Sequence, residues 1–175
     1  MVRVFRNARL WRLDAAGFEA AADLIARAEA DYEPDVVVGI ERGGRPIADA
    51  VAKRLCLPTV SMTARHNETD AVRVPATGRV RVDDRGVVAL PDQARVLLVD
   101  DICGSGATLQ TVTAIIRGVR RPSLLRTAVL CRNVGATYTP DTWVWDVADW
   151  TCFPWEDDPG QPTETLEVRS EVRHR

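Results

Sequence analysis

Apolar residues along this chain alternate between two patterns, and the alternation predicts its architecture. Phe18, Ala21, Ala22, Ile25 and Ala28 recur at helical spacing. They predict an amphipathic helix over Ala15–Ala30, with Asp14 as its N-cap. Glu33-Pro34 ends that helix. Residues 36–40 form a short unbroken apolar run, as expected of a strand buried on both faces. The tight turn Glu41-Arg42-Gly43-Gly44 leads to a second helix, with Pro46 at its first position and Leu55 near its end. Residues 59–62 read as the next strand and 96–99 as a central one. Leu109, Val112, Ile115, Ile116 and Val119 mark a third helix, closed by Gly118 and Pro122. Residues 124–130 and 143–147 read as further strands. Strand, helix and strand in repetition predict an α/β fold around a parallel sheet.

Between these elements the pattern breaks at 63–90. Arg65, His66, Asn67, Glu68, Thr69, Asp70 and Arg73 make a polar stretch. Beyond it, 79–82 and 87–90 flank Asp83-Asp84-Arg85-Gly86 and read as a hairpin with a solvated acidic turn. A long polar insertion in a compact domain is expected to act as a mobile flap. The stretch 159–175 is charged, with Pro and Gly at its start, and is expected to be loosely held.

Composition narrows the class. The chain has 175 residues, 46% hydrophobic and 27% charged, which suits one globular domain with a real core. A net charge of −2 gives no electrostatic case for nucleic-acid binding. Lys53 is the only lysine, so almost every cation is an Arg fork suited to phosphate or diphosphate; base composition of the genome is the plainer reading of that bias. Cys56, Cys103, Cys131 and Cys152 show no CxxC spacing, so a zinc site is not expected, and reduced thiols in a cytoplasm are. No signal core and no membrane-length apolar stretch occurs.

Candidate chemistry gathers at VLLVDDICGSGATL, residues 96–109. An apolar run ends in Asp100-Asp101, a turn with Gly104 and Gly106 follows, and Thr108 opens a helix. Two carboxylates can hold ribose hydroxyls or Mg²⁺. The adjacent backbone N–H groups and helix N-terminus can hold a phosphate. Glycine loops alone recur widely, but the full ordered pattern is specific. It resembles the 5-phosphoribosyl diphosphate (PRPP) signature of the type I phosphoribosyltransferases. That resemblance implies the family's fold, a parallel sheet flanked by helices with a flap and a hood. The expected organisation is one domain over 1–158, with the flap at about 63–90, base-binding hood elements at about 133–157 and the charged tail at 159–175.

The resemblance extends over most of the chain. VVVGIERGGRPIADAVAKRL is similar to the family's diphosphate loop, so Arg42, Gly43 and Gly44 are expected at the leaving diphosphate. A non-proline cis peptide often sits in that loop in the family. Taken alone, Arg42-Gly43-Gly44 reads equally as a plain strand-to-helix turn. The PRPP set is then Arg42, Gly43, Gly44, Asp100, Asp101, Cys103, Gly104, Ser105, Gly106, Ala107 and Thr108, with Asp100, Asp101 and Arg42 as the catalytic groups. Pro140-Asp141, Trp150 and Phe153-Pro154-Trp155-Glu156 resemble the small microbial members of the 6-oxopurine branch. By that likeness Trp150 stacks on the base, the Thr151 backbone reads its edge, and Ile102 and Thr139 line the pocket. Phe153 and Trp155 read as a small hydrophobic cluster. Asp100 and Asp101, helped by Glu156 or Asp157, are the expected Mg²⁺ ligands, and Arg65, Glu68, Asp70 and Arg73 are flap candidates.

Two departures separate the halves of the site. Purine enzymes of the family usually carry an Asp where this chain has Gly104, and a Lys where it has Thr139. A missing general base lowers the rate about 10²–10⁴-fold unless another group replaces it. The implied function is Mg²⁺-dependent transfer of 5-phosphoribosyl from PRPP to a purine or purine-like base. A nucleotide-sensing protein that keeps the fold, and an enzyme for a modified or deazapurine base, remain the alternatives. Small-molecule substrates and a homodimer or homotetramer are the partners the resemblance implies.

Overall fold

A computed structural model of the chain describes residues 4–6, 8–65, 80–83 and 85–175. Its elements in chain order are β1 (Leu10–Arg12), α1 (Ala15–Ala30), β2 (Val36–Glu41), α2 (Gly44–Leu55), β3 (Thr59–Arg65) and β4 (Arg81–Asp83). There follow α3 (Arg85–Val88), β5 (Arg95–Cys103), α4 (Ala107–Arg120), β6 (Leu124–Asn133) and β7 (Thr142–Val147). Three short strands complete the chain: β8 (Trp150–Cys152), β9 (Glu164–Thr165) and β10 (Arg173–His174).

Seven strands form one sheet in the order β10-β7-β6-β5-β2-β3-β4. The five inner strands run parallel, and β10 and β4 close the two edges antiparallel. Both faces are covered, which is why β2 and β5 are continuous apolar runs. Val37, Leu97, Val99, Ala128 and Leu130 pack on one face against Ala21 and Ile25 of α1 and Ile47 and Val51 of α2. Val36, Val38, Val96, Leu98 and Val129 pack on the other against Val87 of α3 and Leu109, Val112 and Ile116 of α4. Val36–Val38 of β2 and Val96–Val99 of β5 alternate between the two cores residue by residue.

The predicted helices form. Asp14 caps α1 by accepting the Gly17 N–H at 2.7 Å. Helix α2 starts at Gly44, so Pro46 stands in its first turn two residues after the start rather than at the first position. A carboxylate pins the far end of α1: Glu29, 1% exposed, accepts from Arg126 Nε at 2.7 Å and Nη2 at 3.0 Å. The Arg126 guanidinium also lies 3.5 Å over the Tyr32 ring.

Two expectations are corrected. The hairpin over 79–90 does not form: β4 pairs with β3, and residues 85–88 make a helical turn. Asp83 accepts the Arg85 N–H at 3.1 Å, and Val87 is drawn fully into the core. Gly86 sits where a Cβ would fall 2.3 Å from the Ser61 carbonyl oxygen, so it serves close packing rather than a hairpin turn. The 159–175 stretch is not loosely held either. β9 pairs with β1, β10 pairs with β7, and the Trp145 Nε1–H donates to the Glu167 carbonyl at 2.9 Å. Strands β8, β1 and β9 form a second, three-stranded sheet beside the main one, and the sequence pattern did not announce it.

Leu166, 6% exposed, is the tail's buried side chain in the main core. Leu166→Ala is expected to cost about 2–4 kcal/mol in urea unfolding. A loss below about 0.5 kcal/mol, the scale of a surface substitution, would mean that Leu166 does not anchor the tail to the core.

Candidate functional site

Strands β2 and β5 lie side by side, with Gly39 opposite Val99. Helix α2 leaves β2 toward one face and α4 leaves β5 toward the other. That divergence opens a crevice beyond the carboxyl ends of both strands, where ligands bind in open α/β sheets. Strand β5 runs past the predicted 96–99 to Cys103, so Asp100 and Asp101 lie within it. Asp100 is buried at 8% exposure, and one of its oxygens accepts the Asp101 N–H at 3.0 Å.

Both carboxylates press on the turn after β2. A Cβ placed on Gly43 would fall 1.8 Å from Asp101 Oδ2. One on Gly44 would fall 2.7 Å from the Val99 carbonyl oxygen and 2.8 Å from Asp100 Oδ1. The two glycines are therefore required by this close approach and not by a turn alone. The peptide between Glu41 and Arg42 is cis, and Arg42 is exposed at the mouth. Glu41 accepts from Thr63 Oγ1 at 3.2 Å and from Arg45 at 3.4 Å, which ties the turn to β3 and α2.

Residues 104–106 form the loop between β5 and α4, and the helix begins at Ala107 rather than Thr108. Ser105 Oγ accepts the Ala107 N–H at 3.3 Å. Gly106 adopts φ +95°, a left-handed conformation, and a Cβ there would lie 2.3 Å from the Tyr138 Cβ. The Thr137 N–H donates to the Ser105 carbonyl at 3.1 Å, so the loop after β6 braces this cradle. Cys103 turns inward: it is 1% exposed and its thiol lies 3.5 Å from the Tyr138 carbonyl.

Arg42, Gly43, Gly44, Asp100 and Asp101 thus meet at one crevice, with residues 104–108 opening α4 at the end of β5. Ile102 and Thr139 are half-buried. Trp150 and Thr151 begin β8 in the second sheet, and Phe5 stacks on Trp150 with centroids 5.5 Å apart and planes 18° apart. The Thr151 hydroxyl is buried without a hydrogen-bond partner among the described residues. Phe153 and Trp155 do pack as a cluster: their rings stack at 5.2 Å, and Trp155 meets Phe18 edge-on. Glu156 Oε2 accepts the Phe153 N–H at 3.0 Å and so closes that turn, while Asp157 is exposed. Among the described residues no three His, Cys, Asp or Glu side chains gather as a metal cluster. Arg65 ends β3, and Glu68, Asp70 and Arg73 lie outside the described residues.

A family model for the phosphoribosyl transferase domain matches residues 13–158. The chain belongs to the phosphoribosyltransferase family. It is an enzyme of that class, and the crevice between β2 and β5 is its candidate active site. No curated protein matches the chain in sequence. Purine phosphoribosyltransferase from Pyrococcus horikoshii shares the fold with a TM-score of 0.72 at 22% identity, over 89% of this chain and 99% of that one. The xanthine-guanine-hypoxanthine phosphoribosyltransferase of Helicobacter pylori gives 0.68 at 19% identity, over 83% and 91%. A hypothetical protein from Neisseria gonorrhoeae with bound ppGpp gives 0.67 at 18% identity, over 84% and 90%. At these identities the likeness is one of fold. No helix among the described residues is long and apolar enough to cross a membrane.

Phe5, which covers Trp150, had not been picked out in sequence. Asn133 and Tyr138 lie in the 133–140 stretch that follows a predicted strand, but their contacts were not foreseen: Tyr138 closes over Gly106, and Asn133 is fully buried at the carboxyl end of β6. Their contacts join distant segments, and no local periodicity marks them.

The carboxylate pair sets a pH dependence. Burial pushes the Asp100 carboxyl well above its ordinary range, the Asp101 charge beside it adds to the rise, and the Asp101 N–H opposes it. The folded chain therefore holds an extra proton between the ordinary value of 3.8 and the raised one. Stability falls as pH climbs through that window. Asp100→Asn removes the penalty, so the ligand-free variant is expected to melt above wild type near neutral pH, with the gap closing toward about pH 4, as calorimetry can measure. The glycines give a second expectation. Gly44→Ala collides with backbone and is expected to lose about 1–3 kcal/mol of stability. Gly43→Ala meets only the movable end of Asp101, so its melting temperature should stay close to wild type while PRPP binding, read by calorimetric titration, weakens.

Proposed function

We propose that the enzyme transfers the 5-phosphoribosyl group of PRPP to a ring nitrogen of a purine or purine-like base in a Mg²⁺-dependent reaction, releasing diphosphate. The observation that carries this reading is the Asp100–Asp101 pair pressed against the Gly43–Gly44 turn beside the 105–108 cradle. A ligand that fills it is a sugar diol with a phosphate on one side and a diphosphate on the other.

Each group then has a task set by its position. Asp100 and Asp101 hold the ribose hydroxyls. Ser105, Gly106, Ala107 and Thr108 offer the phosphate backbone N–H groups and the N-terminus of α4. Arg42, exposed at the turn, meets the leaving diphosphate, with Arg65 and Arg73 of the flap as further cations. Trp150 stacks on the base, Ile102 and Thr139 line its pocket, and Thr151 reads its edge. C1–oxygen cleavage builds negative charge on diphosphate, and fixed donors aimed at it lower the barrier. Holding the acceptor nitrogen at C1 supplies much of the rest.

The donor set fits Mg²⁺. This ion prefers one or two carboxylates with substrate phosphates and water over an all-protein cage. Asp100 and Asp101 would supply the carboxylates; Glu156 and Asp157, the further candidates, do not join them in a three-ligand cluster among the described residues. When bound, the ion neutralises charge on the diphosphate.

Gly104 brings no carboxylate to the base, so the proton on the acceptor ring goes to another group, with Glu68 and Asp70 of the flap as candidates. The same vacancy favours a second reading, a nucleotide sensor on this fold, toward which the ppGpp-bound Neisseria protein points. One experiment separates the two. PRPP consumption is measured against a panel of bases, with Asp101→Asn alongside. The transferase reading expects consumption with at least one base and a loss of about a hundredfold in the variant. Tight nucleotide binding without turnover supports the sensor. Failure to bind PRPP, or a variant that behaves like wild type, overturns the transferase reading. The panel also tests the deazapurine idea, which efficient use of hypoxanthine and guanine removes.

A further inference from the structure

Residues 4–6, ahead of β1, run across the end of the main sheet. Asn133, 0% exposed, ends β6 one strand from β5, where Arg132 lies opposite Cys103. Its side-chain amide takes hold of the Val4 backbone at both polar groups. Asn133 Oδ1 accepts the Val4 N–H at 3.0 Å, and Nδ2 donates to the Val4 carbonyl at 2.8 Å. The same oxygen accepts the Gly135 N–H at 2.9 Å. The next residue, Phe5, lays its ring on Trp150. The Arg6 N–H then donates to the Ala148 carbonyl at 2.9 Å.

The chemistry of this contact is specific. Val4 and Phe5 present a donor beside an acceptor to Asn133, and a flat ring to Trp150. A lactam nucleobase carries the same two features on one rigid frame, a ring N–H beside a carbonyl and a π-face. An Asn amide makes two hydrogen bonds to a base edge, and with Oδ1 held by the Gly135 N–H this one fits the N–H beside carbonyl of a lactam and not the reversed order that adenine presents; aromatic side chains stack on such faces. Val4, meanwhile, is 38% exposed and meets Gly135 with one methyl, so backbone hydrogen bonds and the Phe5 ring, more than a buried aliphatic anchor, hold the segment. The loop that follows Asn133 also braces the phosphate cradle through Thr137 and Ser105, which puts this contact beside the PRPP crevice.

We infer that Val4 and Phe5 fill the base subsite of the free enzyme as an internal stand-in, and that Asn133 reads the edge of the incoming lactam base once they leave. This rests on the proposed transfer to a purine-like base, for which Trp150 is the stacking residue. Base binding then has to displace Phe5, so the segment competes with substrate and screens for bases that match its own pattern.

The test follows Phe5 directly. The full-length enzyme is labelled with 4-fluorophenylalanine, and its three phenylalanines are assigned by single substitution. Hypoxanthine, which has the lactam edge, is titrated against adenine, which lacks it. The expected result is movement of the Phe5 signal to a solvent-exposed position with hypoxanthine, at concentrations about tenfold lower than with adenine, the scale of one two-point base contact. Phe5→Ala is expected to tighten hypoxanthine binding about tenfold and leave PRPP binding unchanged, since stacking on Trp150 is what the base competes for. A Phe5 signal that stays in place at saturating hypoxanthine, or a Phe5→Ala variant that binds the base no better or more weakly, overturns the inference. Asn133→Asp keeps the shape and one acceptor but removes the amide donor, and is expected to abolish the preference for hypoxanthine over adenine; a retained preference counts against the Asn133 role. Displacement of Phe5 without PRPP turnover supports the inference while the transferase reading falls. Turnover without displacement leaves that reading standing and removes the inference.

Discussion

Two strand ends meet in this protein too closely for a side chain to stand between them, and the active-site crevice depends on that approach. Gly43 and Gly44 back directly onto Asp101 and Asp100. The sheet order places β2 beside β5, although β3 and β4 intervene in the chain. At this junction the connections diverge, α2 to one face and α4 to the other. A pocket at such a switch point comes from topology and needs no special fold. What this sequence adds is the chemistry at the floor: carboxylates on one strand, bare backbone on the other, and a short glycine-bearing loop at the start of α4.

That floor is unfavourable by itself. Asp100 is buried next to another carboxylate, and its raised pKa records the cost of charging it. The two apolar cores above and below the sheet supply the stability that tolerates it. The loop braces carry no large hydrophobic area, yet they fix geometry: Tyr138 over Gly106, Thr137 on Ser105, and Glu41 between Thr63 and Arg45. Preorganised groups of this kind need little rearrangement when charge develops on a ligand.

How much of this could be read from sequence follows a physical line. Strands β2 and β5 are covered on both faces and declare themselves as unbroken apolar runs. Helices α1, α2 and α4 declare themselves by period, and Asp14 by its capping chemistry. Asp100, Asp101, Arg42 and the glycines lie on short stretches next to these elements, so they too were legible. Sequence reading failed where structure comes from remote pairing. Strands β1, β8, β9 and β10 have two or three residues each and exist only because distant partners meet them. The 85–88 turn was misread because its fate depends on Val87 reaching a core that the local sequence does not reveal. Asn133 and Val4 stand 129 residues apart, beyond the reach of any periodicity.

The same line divides the site. Its phosphoribosyl half is built from strand ends and tight turns, where a Cβ in the wrong place strikes backbone or carboxylate. A side chain at Gly44 would strike the β5 backbone, and one at Gly43 would displace Asp101. Its proposed base half draws on the edge of the small sheet, the end of β6 and the segment ahead of β1, which meet through side chains and a few hydrogen bonds. Such a surface can change residue by residue without disturbing the core. Gly104 and Thr139 depart from the family pattern on that side of the ligand, while Asp100, Asp101 and the glycine turn keep it. Under the proposed transfer, a rigid PRPP half is coupled to an adjustable base half, and the choice of base becomes a property of contacts that no single stretch of the chain contains.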